Sequence, residues 1–269
     1  MKRVLSILTI VSVIAFACSA QAYDDADWAD ALVADRPDVA ESSRTVGKFK
    51  LQLEPSFQFS QDRENNVTTR FYGFPTLLRF GVIDPVELRL DSSIYQIRTR
   101  SNTNYDKGPS DFTFGLKWNF LDYGPKGIPS MAVVVSCLFP TGKDDFSENA
   151  YVPTFRLIAD WELPVNLSFG VNLGVDVPGR DAAGDKYAQF LYAASLGYAF
   201  HGTNDRLKIY IEVTGESPLK SNKADLRALG TGVMFLITPD VQVDTFIRAG
   251  ITKHSPDWIA GVGGAFRFF

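Results

Sequence analysis

The chain has 269 residues, 45% of them apolar and 22% charged, the profile of one large folded domain or two small ones. Its net charge of −4 and its lack of any basic block exclude a surface that tracks nucleic acid. Past the first two dozen positions no apolar run reaches the ~18 residues a spanning helix needs, so a helical membrane protein is excluded, while a β-barrel with strands of ~9–11 residues is not.

The N-terminus reads as a secretory signal. Met1-Lys2-Arg3 is positive, Val4 to Ala17 is apolar, and Ala20-Gln21-Ala22 is a small-x-small cleavage pattern, so residues 1–22 are predicted to be removed after Ala22. Cys18 raises a lipoprotein alternative, but Phe16 puts bulk where such sites want small residues. After cleavage Cys137 has no second cysteine to pair with.

Residues 23–44 form an acidic segment with Asp24, Asp25, Asp27, Asp30, Asp35, Asp38 and Glu41 and no strand pattern. It reads either as a periplasmic tail or as a plug entering a lumen.

From residue 45 onward a period of two dominates, the mark of a strand with two unlike faces. In 48–59 the apolar face is Phe49, Leu51, Leu53, Phe57 and Phe59, opposed by Lys48, Lys50, Gln52, Glu54 and Gln58. In 71–80, Tyr72, Phe74, Leu78 and Phe80 oppose Arg79; in 86–96, Val86, Leu88, Leu90 and Ile94 oppose Glu87, Arg89 and Asp91. In 111–120, Phe112, Phe114, Leu116, Trp118 and Phe120 oppose Asp111, Thr113, Lys117 and Asn119. Met131 to Phe139 gives one apolar face, and Tyr151, Phe155, Leu157 and Trp161 give another against Arg156 and Asp160. Residues 165–177 alternate throughout, with Phe169, Leu173 and Val175 against Asn172 and Asp176. Four further strands follow, with Tyr198, Ile211, Val233 and Ile247 on their apolar faces and Ser195, Glu212, Asp244 and Arg248 among the residues opposite. Trp258, Val262, Phe266 and Phe268 end the chain's pattern. About twelve strands result, an even number as in bacterial single-chain barrels.

The connections alternate in length. The stretches 98–110, 140–150, 178–186 and 215–224 are long, whereas Asp84-Pro85, Leu163-Pro164 and Thr238-Pro239-Asp240 are short. Long loops at one end and short turns at the other are the outer-membrane habit, with both termini on the periplasmic side. A soluble, exported β-sandwich binding protein would share the alternation. Strand length, aromatics near strand ends and the terminal Phe266-Arg267-Phe268-Phe269 favour lipid. The expected fold is therefore an all-β, transmembrane, antiparallel up-and-down barrel over 45–269. Its expected partners are outer-membrane lipid, small-molecule solutes and the barrel-insertion machinery, the last through Phe266, Phe268 and Phe269.

Several stretches carry a resemblance. Asp35-Arg36-Pro37-Asp38, Leu51-Gln52-Leu53-Glu54, F-Y-G-F-P-T-L-L-R-F-G-V at 71–82, Val86-Glu87-Leu88-Arg89, Gly108-Pro109-Ser110-Asp111, Gly115-Leu116-Lys117 and Phe139-Pro140-Thr141-Gly142 occur in order. Together they resemble the outer-membrane transporters grouped under "MetA-pathway of phenol degradation", over about residues 35–269. The resemblance implies a Gram-negative outer-membrane barrel passing small, often aromatic, compounds. It brings no catalytic motif.

Catalytic chemistry finds little support in the residues. His254 near Asp257 is the weak basis for an alternative reading as an outer-membrane hydrolytic enzyme, and His201 falls in a turn. No spacing suggests zinc. Thr141-Gly142-Lys143 lacks the upstream glycine of a phosphate loop, and Asp144, Asp145 and Glu148 read as a solvated loop rather than a cation site. No cofactor is expected. The predicted functional residues are the inward charges: Arg79, Glu87, Arg89, Asp91, Asp111, Lys117, Arg156, Asp160, Asp176, Glu212, Asp244 and Arg248. Charges of both signs inside a wall need water or partners. They either brace the barrel or line a hydrated path.

Overall fold

The computed structural model describes residues 28–101, 104–177, 187–219 and 225–269. The predicted signal peptide, residues 23–27, the predicted loop 178–186, and residues 102–103 and 220–224 of two other predicted loops lie outside the described residues. The strands are β1 (Leu51–Glu64), β2 (Val67–Ile83), β3 (Val86–Arg100), β4 (Asn104–Gly108), β5 (Phe112–Leu121), β6 (Ser130–Phe139), β7 (Val152–Leu163), β8 (Leu167–Asp176), β9 (Gln189–Ala199), β10 (Leu207–Pro218), β11 (Leu226–Thr238), β12 (Val241–Gly250) and β13 (Trp258–Phe268). Sequence neighbours pair antiparallel except β4 with β5, and β1 pairs with β13, so the sheet closes on itself. The short β4 pairs with the far end of β3 and β5 with its near end. Together β4 and β5 make one stave, and the barrel has twelve. Closure leaves no sheet edge for backbone groups to lose in lipid.

The strands are longer than their alternation suggests at the long-loop end. Only Asn65-Asn66 joins β1 to β2, both at positive φ (50° and 63°), as a two-residue hairpin turn requires. The predicted loop 98–110 contains the β3–β4 pairing. These extensions are polar on both faces, so they carry no period-two signal. At the other end Lys48, Phe49 and Lys50 fall outside β1, with Phe49 at φ 59°. Val165 and Asn166 likewise belong to the turn before β8, at φ 59° and 61°.

Pro55, Pro75 and Pro109 cannot donate to the ladder. Serines patch the wall beside them. Ser56 donates to the Pro75 carbonyl at 3.0 Å, Ser93 Oγ accepts from Phe74 N at 3.2 Å, and Ser110 Oγ accepts from Ser93 N at 2.9 Å.

The faces are inverted relative to a soluble protein. Outside, Leu173 is 43% exposed and Trp118 48%; their inward neighbours Asn172 and Lys117 are 3% and 0% exposed. Arg79, Gln52, Glu54 and Glu87 are among the most buried side chains in the protein. A small apolar core of Ala132, Val134 and Ile158 sits inside, but most of the interior is polar. Two aromatic belts ring the outside. Phe59 packs on Tyr72 and Trp258 (both 4.9 Å between ring centres), and Phe112 stacks on Phe139 (4.9 Å), near the long-loop end. Trp118–Phe120, Trp161–Phe169 and Tyr198–Phe200 lie near the short-turn end. Such belts mark the two interfaces of a bilayer.

Candidate functional site: a plugged, charged lumen

The acidic segment lies inside the barrel. Of the two readings the sequence left open for residues 23–44, the described part has the contacts of a plug. Leu32 N donates to the Pro239 carbonyl at 2.7 Å where the chain enters. The segment then sweeps around the wall. Arg36 makes two bonds to Asp244 on β12 (3.0 and 3.2 Å). Val39 N donates to Glu212 on β10 at 2.8 Å, and Asn172 on β8 donates to the Glu41 carbonyl at 3.0 Å. Arg156 on β7 holds the Glu41 carboxylate at 2.5 Å. Ser43 donates its N–H to Asp160 and its hydroxyl to Ser130 (2.5 and 2.8 Å). Val46 N donates to Glu87 on β3 at 2.9 Å, and Phe49 N to the Gly81 carbonyl at 2.7 Å as the chain leaves for β1. A strandless segment can lie inside a barrel because wall side chains satisfy its backbone groups.

The centre of the plug is Asp35. Lys117 Nζ reaches its Oδ2 at 2.5 Å, Arg89 Nη1 donates a short bond to the same oxygen, and Arg79 Nη2 lies at 3.6 Å. Arg79 also forks onto Glu87 (both oxygens at 2.9 Å), reaches Glu54 at 3.0 Å, and caps the Val33 and Arg44 carbonyls. Burial pushes the Asp35 carboxyl up, but Arg79, Lys117 and Arg89 outweigh it and hold the group well below the usual carboxylate range. At Asp38 the balance reverses, although Lys208 and Arg248 pull its carboxyl down. Burial, with Glu212 nearby, pushes its carboxyl up to about 7.

Of the twelve predicted inward charges, Arg79, Glu87, Arg89, Lys117, Arg156, Asp160, Glu212, Asp244 and Arg248 touch the segment directly. Asp111 instead anchors the 140–150 loop, accepting from Gly142 N and Glu148 N (2.7 and 2.8 Å). Asp91 and Asp176 face open space. Together with Val39, Glu41, Arg89, Arg156, Leu191 and Glu216 they line a cavity of about 570 Å³. Its floor is the plug, and Asp176, Glu216 and Pro256 place its upper wall at the long-loop end.

Lys50, read from the sequence as inward, pairs with Asp30 at the rim. His254 is exposed in a loop, and Asp257 is engaged by Arg63 N at 3.1 Å. Among the described residues no group of three His, Cys, Asp or Glu could hold a metal.

Sequence reasoning missed Arg36, Asn172 and Ser130 as wall-to-plug contacts. One signal was present. A Cβ on Gly263 would lie 2.5 Å from Arg36 Nη2, and one on Gly81 only 1.7 Å from the Gly47 carbonyl oxygen. Glycine at these two positions leaves room inside the wall, and the N-terminal chain fills it.

The match of one family to residues 34–268 decides the relationship; its description reads "Putative MetA-pathway of phenol degradation". The chain belongs to that family. Comparison with curated proteins found no match. Among solved structures, an outer membrane channel from Pseudomonas putida F1 is similar with a TM-score of 0.64 at 9% identity, covering 84% of this chain and 98% of that one. The NanC porin is similar at 0.51 and 13% identity, covering 80% and 98%. The translocator domain of the autotransporter NalP from Neisseria meningitidis is similar at 0.51 and 12%, covering 81% and 88%. At these identities the likeness is one of fold: the chain has the architecture of outer-membrane β-barrels.

Proposed function

We propose that this family member is an outer-membrane channel for passive passage of small solutes, and that its N-terminal segment is the plug that sets when the path is open. The single observation that carries the reading is the inversion of faces around a charged cavity. A wall that is apolar outside and ionic within suits a bilayer around it and water inside it. The about 570 Å³ vestibule, closed below by residues 35–46, suits a small solute at the head of a path. Nothing in the arrangement supplies energy, so passage runs down a gradient. The aromatic or hydrophobic cargo that the family's description suggests fits a vestibule with apolar Val39, Leu191 and Ile259 beside its charges.

In the same reading residues 1–22 direct export and are removed, the short-turn end with both termini faces the periplasm, and the last strand, with Phe266, Phe268 and Phe269, is offered to the insertion machinery. The experiment is planar-bilayer conductance of the mature protein against a variant lacking residues 31–46. The deletion raises single-channel conductance if the segment is the plug. Equal conductance overturns the plug. A folded, inserted deletion variant with no conductance overturns the channel.

A further inference from the structure

The plug is held as an internal ligand. One carboxylate oxygen of Asp35 meets three wall cations, Arg79, Arg89 and Lys117, and all four side chains are buried. The wall carboxylates of the same cluster are Glu54 and Glu87. With the plug seated, Arg79, Arg89 and Lys117 face Asp35, Glu54 and Glu87, and Arg89 also holds the plug's Glu41. With the plug gone, the wall keeps the three cations and two carboxylates. Neither Asp91 nor Asp160 makes an ion pair with these cations among the described residues. Leaving a buried charge uncompensated is strongly unfavourable, so Asp35 departs readily only when another anion replaces it.

The cluster is reachable from outside. Arg89 belongs both to the cluster and to the vestibule floor, where its Nη2 holds Glu41 Oε2 at 3.1 Å. A carboxylate entering the vestibule finds Arg89 on its floor, below Arg156, Arg227 and Arg248, competes there with Glu41, and then with Asp35 for the same guanidinium. Planar guanidinium forks suit a carboxylate bidentately, and Lys117 adds a point charge. Beside Arg89 the vestibule wall carries Leu77 and Val134, which suit an apolar body behind the charged head.

We propose that Arg79, Arg89 and Lys117 form a binding site for small organic carboxylates, occupied at rest by Asp35, and that such a solute releases the plug by taking Asp35's place. The gating half of this rests on the channel reading above; the binding half does not.

Two measurements on the full mature chain test it. In planar bilayers benzoate raises the open fraction of the wild type about tenfold, while benzamide, of the same shape and neutral, does not. Asp35→Asn raises the open fraction on the order of a hundredfold without solute and removes the benzoate response. Equal responses to both compounds, or no response from a barrel whose 31–46 deletion conducts, overturn the gating. Independently of conductance, benzoate raises the unfolding midpoint of Asp35→Asn by filling the vacated site, benzamide does not, and adding Arg89→Gln abolishes the benzoate effect. If benzoate fails to stabilise Asp35→Asn, the site itself is wrong, whether or not the barrel conducts.

Discussion

Leu173→Arg separates a lipid-facing wall from any soluble alternative. Leu173 points outward from β8, is 43% exposed, and pairs across the sheet with Leu157 and Tyr192. In a soluble protein a side chain that exposed tolerates arginine within about 0.5 kcal/mol. In a bilayer the same guanidinium sits near the midplane and costs about 2–4 kcal/mol. The structure also sets a depth profile. Phe169 lies four residues along the same face, within the short-turn aromatic belt. Four residues at ~3.4 Å, on a strand tilted ~40°, give roughly 10 Å along the membrane normal. Phe169→Arg should then lose only about 0–1 kcal/mol to lipid exposure, beyond the ring contact with Trp161 that it removes. The assay is reversible urea unfolding from lipid vesicles, followed by tryptophan fluorescence. A Leu173→Arg cost below about 0.5 kcal/mol would refute the lipid assignment and the channel with it.

Four further outcomes follow from the lumen and one turn. Arg79→Met strands Glu54, leaves Glu87 to Arg89 and Lys117, and destabilises the barrel by about 3–5 kcal/mol; adding Glu87→Met changes that loss, and strict additivity in denaturant melts would disprove the network. Asp38, with its carboxyl at about 7 in the folded chain against 3.8 ordinarily, binds more protons folded than unfolded. Its contribution is therefore full below pH ~4 and lost as pH rises to ~7, so plug retention weakens over that window, and Asp38→Asn flattens the profile in open-fraction measurements. Gly263→Ala pushes on the Arg36 guanidinium, whose atoms can yield; it loosens the Arg36–Asp244 latch and raises the open fraction while leaving the unfolding midpoint of the wall nearly unchanged. Val165→Asn relieves a β-branched residue at φ 59° and should stabilise by about 0.5–1 kcal/mol in the same vesicle melts.

The amino-acid order alone determined the barrel. Period-two alternation is local, and it needs no partner to be read: Leu173 beside Asn172 and Trp118 beside Lys117 already imply two media on two sides. Strand count, turn alternation and the inward charges followed from it. Strand ends were less legible, because β1, β2 and β3 run past the membrane into polar stretches where both faces meet water and alternation vanishes. The tertiary structure alone decided what the charges do. Asp35 lies 19 residues from Glu54, 54 from Arg89 and 82 from Lys117 in sequence. No local pattern joins them; the pairing of β1, β2, β3 and β5 sets the wall residues side by side, and the entry of the plug into the lumen brings Asp35 onto them. An acidic, strandless stretch looks the same whether water or arginines neutralise it, and the cations that neutralise this one come together only when strands distant in sequence have paired.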